Sequence, residues 1–136
     1  MPLSMTEVLV DIESDRSIVE ARQRGRELAS HAGFTFTDLA IIATAISELA
    51  RNVLSYAGRG QIAVRLLDDG TRRGIAIQAT DDGPGIANLQ LAMQDGYSTS
   101  GSLGLGLPGV RRLMDEFEIK SEVGQGTTVT AKKWHL

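Results

Sequence analysis

Residues 74–85 read Gly-Ile-Ala-Ile-Gln-Ala-Thr-Asp-Asp-Gly-Pro-Gly, an alternating run that ends in a carboxylate and two glycines. The alternation is typical of a strand, and Ile75, Ile77 and Asp81 share one parity, so they point to one face of a sheet. Isoleucine marks the buried face, where a carboxylate is costly unless it is paired. Two interpretations follow. Asp81 recognises a donor such as an exocyclic amine beside an open glycine turn, or it caps its own loop.

The same alternation recurs along the chain and predicts further strands. The predicted strands cover residues 6–13, 61–67, 74–81, 117–123 and 127–134. Asp69-Gly70 provides a hairpin turn between the second and third strands, and Gly124-Gln125-Gly126 provides one between the last two. Hairpins of this kind join antiparallel strands, so we expect a mixed but mostly antiparallel sheet.

Helical periodicity predicts the elements that cover this sheet. The predicted helices lie at residues 15–32, 37–57, 89–93 and 108–114. Thr37 is expected to cap the second helix and Gly58 to follow its end, while Pro108 suits the first turn of the last helix. Because helices must cover one face of the sheet, we expect an α+β two-layer sandwich that forms a single domain over residues 1–136.

Composition excludes several classes of function. The 136 residues contain no cysteine and only two histidines, which excludes thiol chemistry and His-rich metal sites and fits a reducing cytoplasm. A net charge of −3 and 4% aromatic residues argue against nucleic acid as a partner. No apolar run is long enough to span a membrane, and 42% apolar residues are sufficient for a packed core.

The second predicted helix carries Glu48 and Asn52, which are four residues apart and therefore neighbours on its surface. Their helical angle places them outside the apolar stripe, beside small residues such as Ala45 and Ser55. A carboxylate can act as a base on a hydroxyl, and an amide oxygen is a suitable ligand for Mg²⁺. The same pattern is also typical of an ordinary solvated helix face.

A glycine-rich segment precedes the last predicted helix. The run Gly104-Leu105-Gly106-Leu107-Pro108-Gly109 matches G-x-G-x-x-G, but no strand leads into it, which argues against a dinucleotide-binding fold. Its N–H groups at a helix start suit an anion, and a loop without a ligand is the alternative. No P-loop, H-R-D or D-F-G sequence occurs, so P-loop NTPases and the eukaryotic kinase fold are excluded.

Thr127 opens the last predicted strand in phase with Val129 and Ala131. If those apolar side chains face the core, the Thr127 hydroxyl does too and can reach the same pocket as Asp81. The alternative is a β-branched residue that simply favours strands.

Taken in their order along the chain, these motifs resemble the Bergerat-fold (GHKL) ATPases from about residue 36 onward. E-x-x-x-N lies on a helix, D-x-G-x-G follows a strand, a loop closes on G-x-G, and Gly-Thr opens the last strand. The resemblance implies ATP and Mg²⁺ as cofactors, an ATP lid over about 87–106, Glu48 as general base and Asn52 as the Mg²⁺ ligand. The implied nucleotide contacts are Asn52, Asp81, Gly83, Gly85, Ile86, Gly104, Leu105, Gly106, Leu107 and Thr127.

Within that superfamily the sequence is similar to the serine kinases of bacterial partner-switching pathways, and most to stressosome switch kinases of the RsbT type. The similar segments are 44–52, 56–58, 95–100, 107–110 and 112–117. The chain length and the lack of a preceding phosphoacceptor helix favour this branch over gyrase, MutL proteins and whole histidine kinases.

This resemblance implies a protein serine/threonine kinase that phosphorylates STAS-domain scaffold or antagonist proteins. Such a kinase then binds and activates a PP2C-type phosphatase. Two alternatives stay open. One is an anti-sigma factor of the same fold that sequesters a sigma factor, and the other is a non-catalytic, ATP-gated binding module.

Overall fold

The computed structural model describes residues 6–85 and 106–135. The described strands are β1 (Glu7–Ile12), β2 (Gly60–Asp68), β3 (Arg73–Asp81), β4 (Glu116–Glu122) and β5 (Gly126–His135). They form one sheet in the order β1-β2-β3-β5-β4. Every pairing among these strands is antiparallel. The prediction was a mixed, mostly antiparallel sheet, and the described strands form a fully antiparallel one. The predicted bounds of each strand agree with the observed bounds to within one residue.

The described helices are α1 (Asp15–Ser30), α2 (Phe36–Ala57) and α3 (Gly106–Leu113). The prediction that Thr37 caps α2 is wrong. Thr35 caps it instead, because the Thr35 hydroxyl accepts the backbone N–H of Asp38 at 3.1 Å, which satisfies one of the free N–H groups of the first turn. Gly58 follows the helix in a left-handed conformation (φ 80°), as predicted for a glycine at this position.

α1 and α2 cover one face of the sheet, and the core lies between the two layers. The burial pattern of β1 is typical of a strand with one face on the core, because Val8, Val10 and Ile12 are buried while the alternate residues are exposed. α1 packs tightly against α2 at Gly25, where a Cβ atom would lie 2.4 Å from Cδ1 of Ile46. The predicted two-layer α+β sandwich is therefore confirmed.

Several predicted features lie outside the described residues. They are the helix at 89–93, the ATP lid up to residue 105, and the candidate site residues Ile86, Gly104 and Leu105. Within residues 6–85 and 106–135, no helix is both long enough and apolar enough to cross a membrane.

Candidate functional site

The register of the sheet brings Asp81 and Thr127 together at one end of β3 and β5, where they lie directly opposite each other. Thr127 is only 8% exposed, and its side chain shares the inner face with the buried Val129. Because side chains alternate along a strand, a shift of one residue in this register would turn the Thr127 hydroxyl away from the core. The parity argument from the sequence therefore places both polar groups correctly.

The two oxygens of the Asp81 carboxylate have different surroundings. Oδ1 accepts the backbone N–H of Gly83 at 2.9 Å and closes the turn that follows β3. No residue of the described chain donates a hydrogen bond to Oδ2, and Asp81 lines a cavity. The two interpretations of this residue are thus compatible, since one oxygen caps the loop and the other is available to a ligand.

Two glycines allow the turn after Asp81 to contact the hairpin between β4 and β5. A Cβ atom at Gly85 (φ 78°) would lie 2.2 Å from the carbonyl oxygen of Glu122. One at Gly126 (φ 94°) would lie 2.1 Å from the carbonyl oxygen of Asp81. Such distances are far below van der Waals contact, so larger residues would force the turn and the hairpin apart. The sequence suggested a nucleotide contact at Gly85, whereas it indicated Gly126 only as a turn residue and as the glycine of the Gly-Thr motif.

A cavity of about 20 Å³ lies beside Asp81, between α2, the start of α3 and the sheet. Its polar lining residues are Asn52, Asp81 and Thr127, and its other lining residues are Leu49, Val53, Tyr56, Ala79, Leu107 and Val129. This volume holds about one water molecule, whereas ligand pockets usually measure roughly 300–1,000 Å³. A ligand larger than a water molecule could enter this cavity only if its walls separate. Tyr56, one helical turn beyond Asn52, could have been found from the sequence by its spacing.

Ser121 supports the Thr127 hydroxyl from the neighbouring strand. Its Oγ lies 2.7 Å from Oγ1 of Thr127 and donates to the carbonyl oxygen of Gly126 at 3.1 Å. Either hydroxyl can donate in the shared bond, and in both cases the Thr127 oxygen keeps at least one lone pair for the cavity. Sequence reasoning missed Ser121, because only the pairing of β4 with β5 reveals this contact.

Asn52 presents a polar group that the described residues leave unsatisfied. Its Nδ2 atom is buried and has no hydrogen-bond partner among them. A buried donor without a partner costs about 1–3 kcal/mol, so this amide is suited to a ligand. Its oxygen is a hard ligand of the type that Mg²⁺ prefers. No group of three acidic, histidine or cysteine side chains in the described chain could hold a metal alone. Mg²⁺ would therefore also need phosphate and water oxygens, which are its usual ligands in nucleotide sites.

Glu48 is buried, with 7% of its surface exposed, so the interpretation of a solvated helix face is wrong for this residue. The start of α3 covers it, and the backbone N–H of Gly106 donates to Oε1 at 3.0 Å. Arg51 Nη1 donates to the other oxygen, Oε2. A buried carboxylate is costly unless it is paired, and here both oxygens are engaged. Sequence reasoning missed Arg51, although its spacing of three residues from Glu48 predicts contact on a helix.

Most of the predicted site residues in the described chain thus lie around one part of α2, whereas Gly85 lies against the hairpin between β4 and β5. Glu48 contacts Gly106, and Asn52 shares the cavity with Asp81, Leu107 and Thr127. The arrangement combines a buried carboxylate, an unpaired amide and an available carboxylate oxygen beside a helix N-terminus. It could hold a nucleotide and accept a proton, and these roles remain predictions.

Comparison with known proteins identifies the family. Residues 13–133 match the family described as histidine kinase-like ATPase domain. The chain is 53% identical over 125 residues to the serine/threonine-protein kinase RsbT of Bacillus subtilis, and this match covers 92% of the chain and 94% of that protein. It is 32% identical over 106 residues to an anti-sigma F factor of Thermoanaerobacter, covering 74% of this chain and 73% of that protein.

Solved structures share the fold. The RsbU and RsbW domains of a Mycobacterium tuberculosis protein superpose with a TM-score of 0.66 at 21% identity, covering 99% of this chain and 34% of that one. The mycobacterial sensor histidine kinase MprB superposes with a TM-score of 0.55 at 17% identity, covering 94% and 97%. At such identities these structures establish the fold alone. With the family match over residues 13–133, they show that the chain belongs to the histidine kinase-like ATPase domain family.

Proposed function

We propose that this chain is an ATP-dependent protein serine/threonine kinase that acts in a partner switch. The observation that carries the proposal is the buried Glu48 carboxylate beside the N-terminus of α3. It is a candidate base for a hydroxyl, held next to the N–H groups that suit a phosphate. The similarity to RsbT, whose name describes a serine/threonine-protein kinase, supports the same reaction.

In the proposed mechanism the nucleotide is bound from both sides of the cavity. Oδ2 of Asp81 accepts a hydrogen bond from the adenine amine, and the Thr127 hydroxyl supports that contact. The N–H of Gly106 faces the phosphates at the N-terminus of α3. When bound, Mg²⁺ neutralises phosphate charge, with Asn52 as its protein ligand. Phosphoryl transfer requires mainly this positioning and neutralisation.

The acceptor in this proposal is a serine or threonine hydroxyl of another protein. Glu48 accepts the hydroxyl proton as the hydroxyl oxygen bonds to the γ-phosphorus and ADP leaves. General-base catalysis of this kind contributes about 10²–10⁴-fold to a rate. The near-complete burial of Glu48 supports the role as a base, because few water molecules can reach the carboxylate in place of the substrate hydroxyl.

We infer STAS-domain proteins as the substrates and a PP2C-type phosphatase as the second partner. The inference is supported by the similarity of segments such as 44–52 and 95–100 to the switch kinases. A phosphate group adds a charge of about −2, which can weaken one protein complex and release the kinase for another.

An anti-sigma factor is the second candidate. Relatives named anti-sigma F factor, at 32% identity in the Thermoanaerobacter protein, favour it. It would retain the same nucleotide site and would differ in its bound partner, a sigma factor. The presence of both Glu48 and Asn52 argues against the third possibility, a non-catalytic binding module.

The proposal is tested by incubating the chain with radiolabelled ATP, Mg²⁺ and a STAS-domain protein encoded beside it. We expect label on a serine or threonine of that protein, and no label when EDTA removes the metal. ATP binding without transfer would contradict the kinase and favour the binding module. If the chain retains a purified sigma factor and does not activate a purified PP2C-type phosphatase, the anti-sigma factor is favoured.

A further inference from the structure

Arg51 contacts the candidate base and has no role in the function proposed so far. It lies three residues after Glu48 on α2, and its Nη1 donates to Oε2 of Glu48. The Arg51 side chain is 40% exposed, whereas the Glu48 side chain is 8% exposed. An ion pair with one buried member is screened less by water and salt than a fully exposed pair. This contact can therefore restrain the carboxylate.

The two oxygens of Glu48 differ in what their donors must do during the reaction. Oε1 accepts from the Gly106 N–H, which is the donor that we assign to the phosphates. A phosphate bound there would compete with Oε1 for this N–H, and the substrate hydroxyl would compete with this N–H for Oε1. Oε2 accepts from Arg51, which is not needed elsewhere in the proposed mechanism. When the contact to Gly106 is lost, Arg51 is the remaining described group that holds this carboxylate.

We propose that Arg51 is a positioning residue for Glu48, holding Oε2 so that Oε1 is presented to the substrate hydroxyl. The proposal rests on the proposed kinase function. In the step, the O–H bond of the substrate breaks and its proton passes to Oε1. The hydroxyl oxygen bonds to the γ-phosphorus, and the bond to the bridging oxygen of ADP breaks. A misplacement of about 1 Å at a reacting group can cost about 100-fold in rate, so the restraint has a measurable effect.

The test compares Arg51→Gln and Arg51→Lys with the wild type. We expect Arg51→Gln to lower kcat about 10–100-fold, while the Kd for ATP changes less than about twofold. Arg51→Lys keeps a cation that can reach Oε2, so it should recover most of the lost kcat. The matched control is Arg24→Gln, which removes an exposed arginine paired with Glu20 on α1 and should leave kcat unchanged.

Three outcomes of these kinetic and binding measurements would overturn the proposal. One is an unchanged kcat in Arg51→Gln, and another is a loss that Arg51→Lys does not recover at all. The third is a parallel loss of ATP affinity, which would make Arg51 a phosphate ligand. Circular dichroism and thermal unfolding of each variant separate these effects from misfolding.

A second measurement does not depend on transfer. The amide proton of Gly106 bonds to the Glu48 carboxylate, so its NMR resonance should shift in Arg51→Gln and stay in place in Arg24→Gln. An unmoved resonance in Arg51→Gln would show that Arg51 does not hold the carboxylate and would overturn the proposal. A wild-type chain that transfers no phosphate would instead contradict the proposed function, whatever this resonance does.

Discussion

The two ends of the sheet differ in how their polar groups are satisfied. At the end formed by Asp81 and Thr127, polar groups point into a cavity, and one carboxylate oxygen has no donor in the described chain. At the opposite end, Trp134 Nε1 donates to Glu116 at 2.6 Å, and the Arg72 guanidinium stacks 3.8 Å from the Trp134 ring centre. The same strands, β3 and β5, serve both ends. The comparison suggests that the first end is built for a ligand and the second for stability.

The turn between β2 and β3 shows in detail how the chain itself satisfies polar groups at the opposite end of the sheet. The Asp69 carboxylate accepts the backbone N–H groups of Thr71 and Arg72, each at 3.0 Å, and also the Thr71 hydroxyl. These bonds, led by the Thr71 N–H, lower the pKa of Asp69 well below its ordinary value. Every donor lies within three residues, so local sequence alone satisfies this carboxylate.

The largest effect is expected from Glu48→Gln. The amide keeps the size of the side chain and an oxygen for the Gly106 N–H, but it cannot accept a proton from the substrate. Phosphate transfer should fall about 10²–10⁴-fold, while the Kd for ATP changes only a few-fold. Single-turnover transfer and equilibrium ATP binding measure the two quantities. Transfer at the wild-type rate would show that Glu48 is not the base.

The next effect concerns stability at the end of the sheet formed by Asp81 and Thr127. Gly126 and Gly124 both have positive φ, 94° and 83°, but a Cβ atom at Gly124 meets nothing within 4 Å. Gly124→Ala should therefore cost only the backbone strain, about 1–2 kcal/mol. Gly126→Ala adds the clash with the Asp81 carbonyl and should cost about 2–5 kcal/mol. Urea unfolding of the two variants measures the difference, and equal losses would show that the turn can move away from the hairpin.

Asp81→Asn should weaken ATP binding about 10–100-fold, because a hydrogen bond to a charged group contributes about 1.5–3 kcal/mol. The amide can still accept from the Gly83 N–H, so stability should change little. Asp69→Asn, at the opposite end of the sheet, is the matched control and should leave ATP affinity unchanged. Isothermal titration calorimetry measures both. Equal ATP affinity in the two variants would contradict the assignment of Asp81 to the nucleotide.

The end of the sheet formed by Asp81 and Thr127 could be predicted from the sequence where the argument depended on alternation. Parity along β3 and β5 turned Asp81 and Thr127 to the inner face, and the structure agrees. Parity does not give register, so Ser121 could not be found as the partner of Thr127. Register depends on how whole strands bury their apolar faces, which is a property of the assembled sheet.

α2 shows a second limit of sequence reasoning. Helical periodicity found the apolar stripe but indicated no burial for Glu48, because the covering residue, Gly106, is distant in the chain. The predicted cap of α2, Thr37, was wrong for a local reason. Thr35 and Thr37 both have the hydroxyl that a cap requires, and the choice between them depends on the path of the chain out of α1.

The smallest effect is expected from Asp69→Asn on stability, and its sign follows from the lowered pKa. A carboxylate with a lowered folded pKa contributes stability above its unfolded pKa, near 4, and this contribution is lost as pH falls toward the folded value. The variant lacks the contribution at every pH. Its Tm should therefore lie slightly below that of the wild type at pH 7, and the difference should shrink as pH falls below about 4. A difference that is constant with pH would show that the charge of Asp69 contributes nothing, and that neutral hydrogen bonds alone hold this turn.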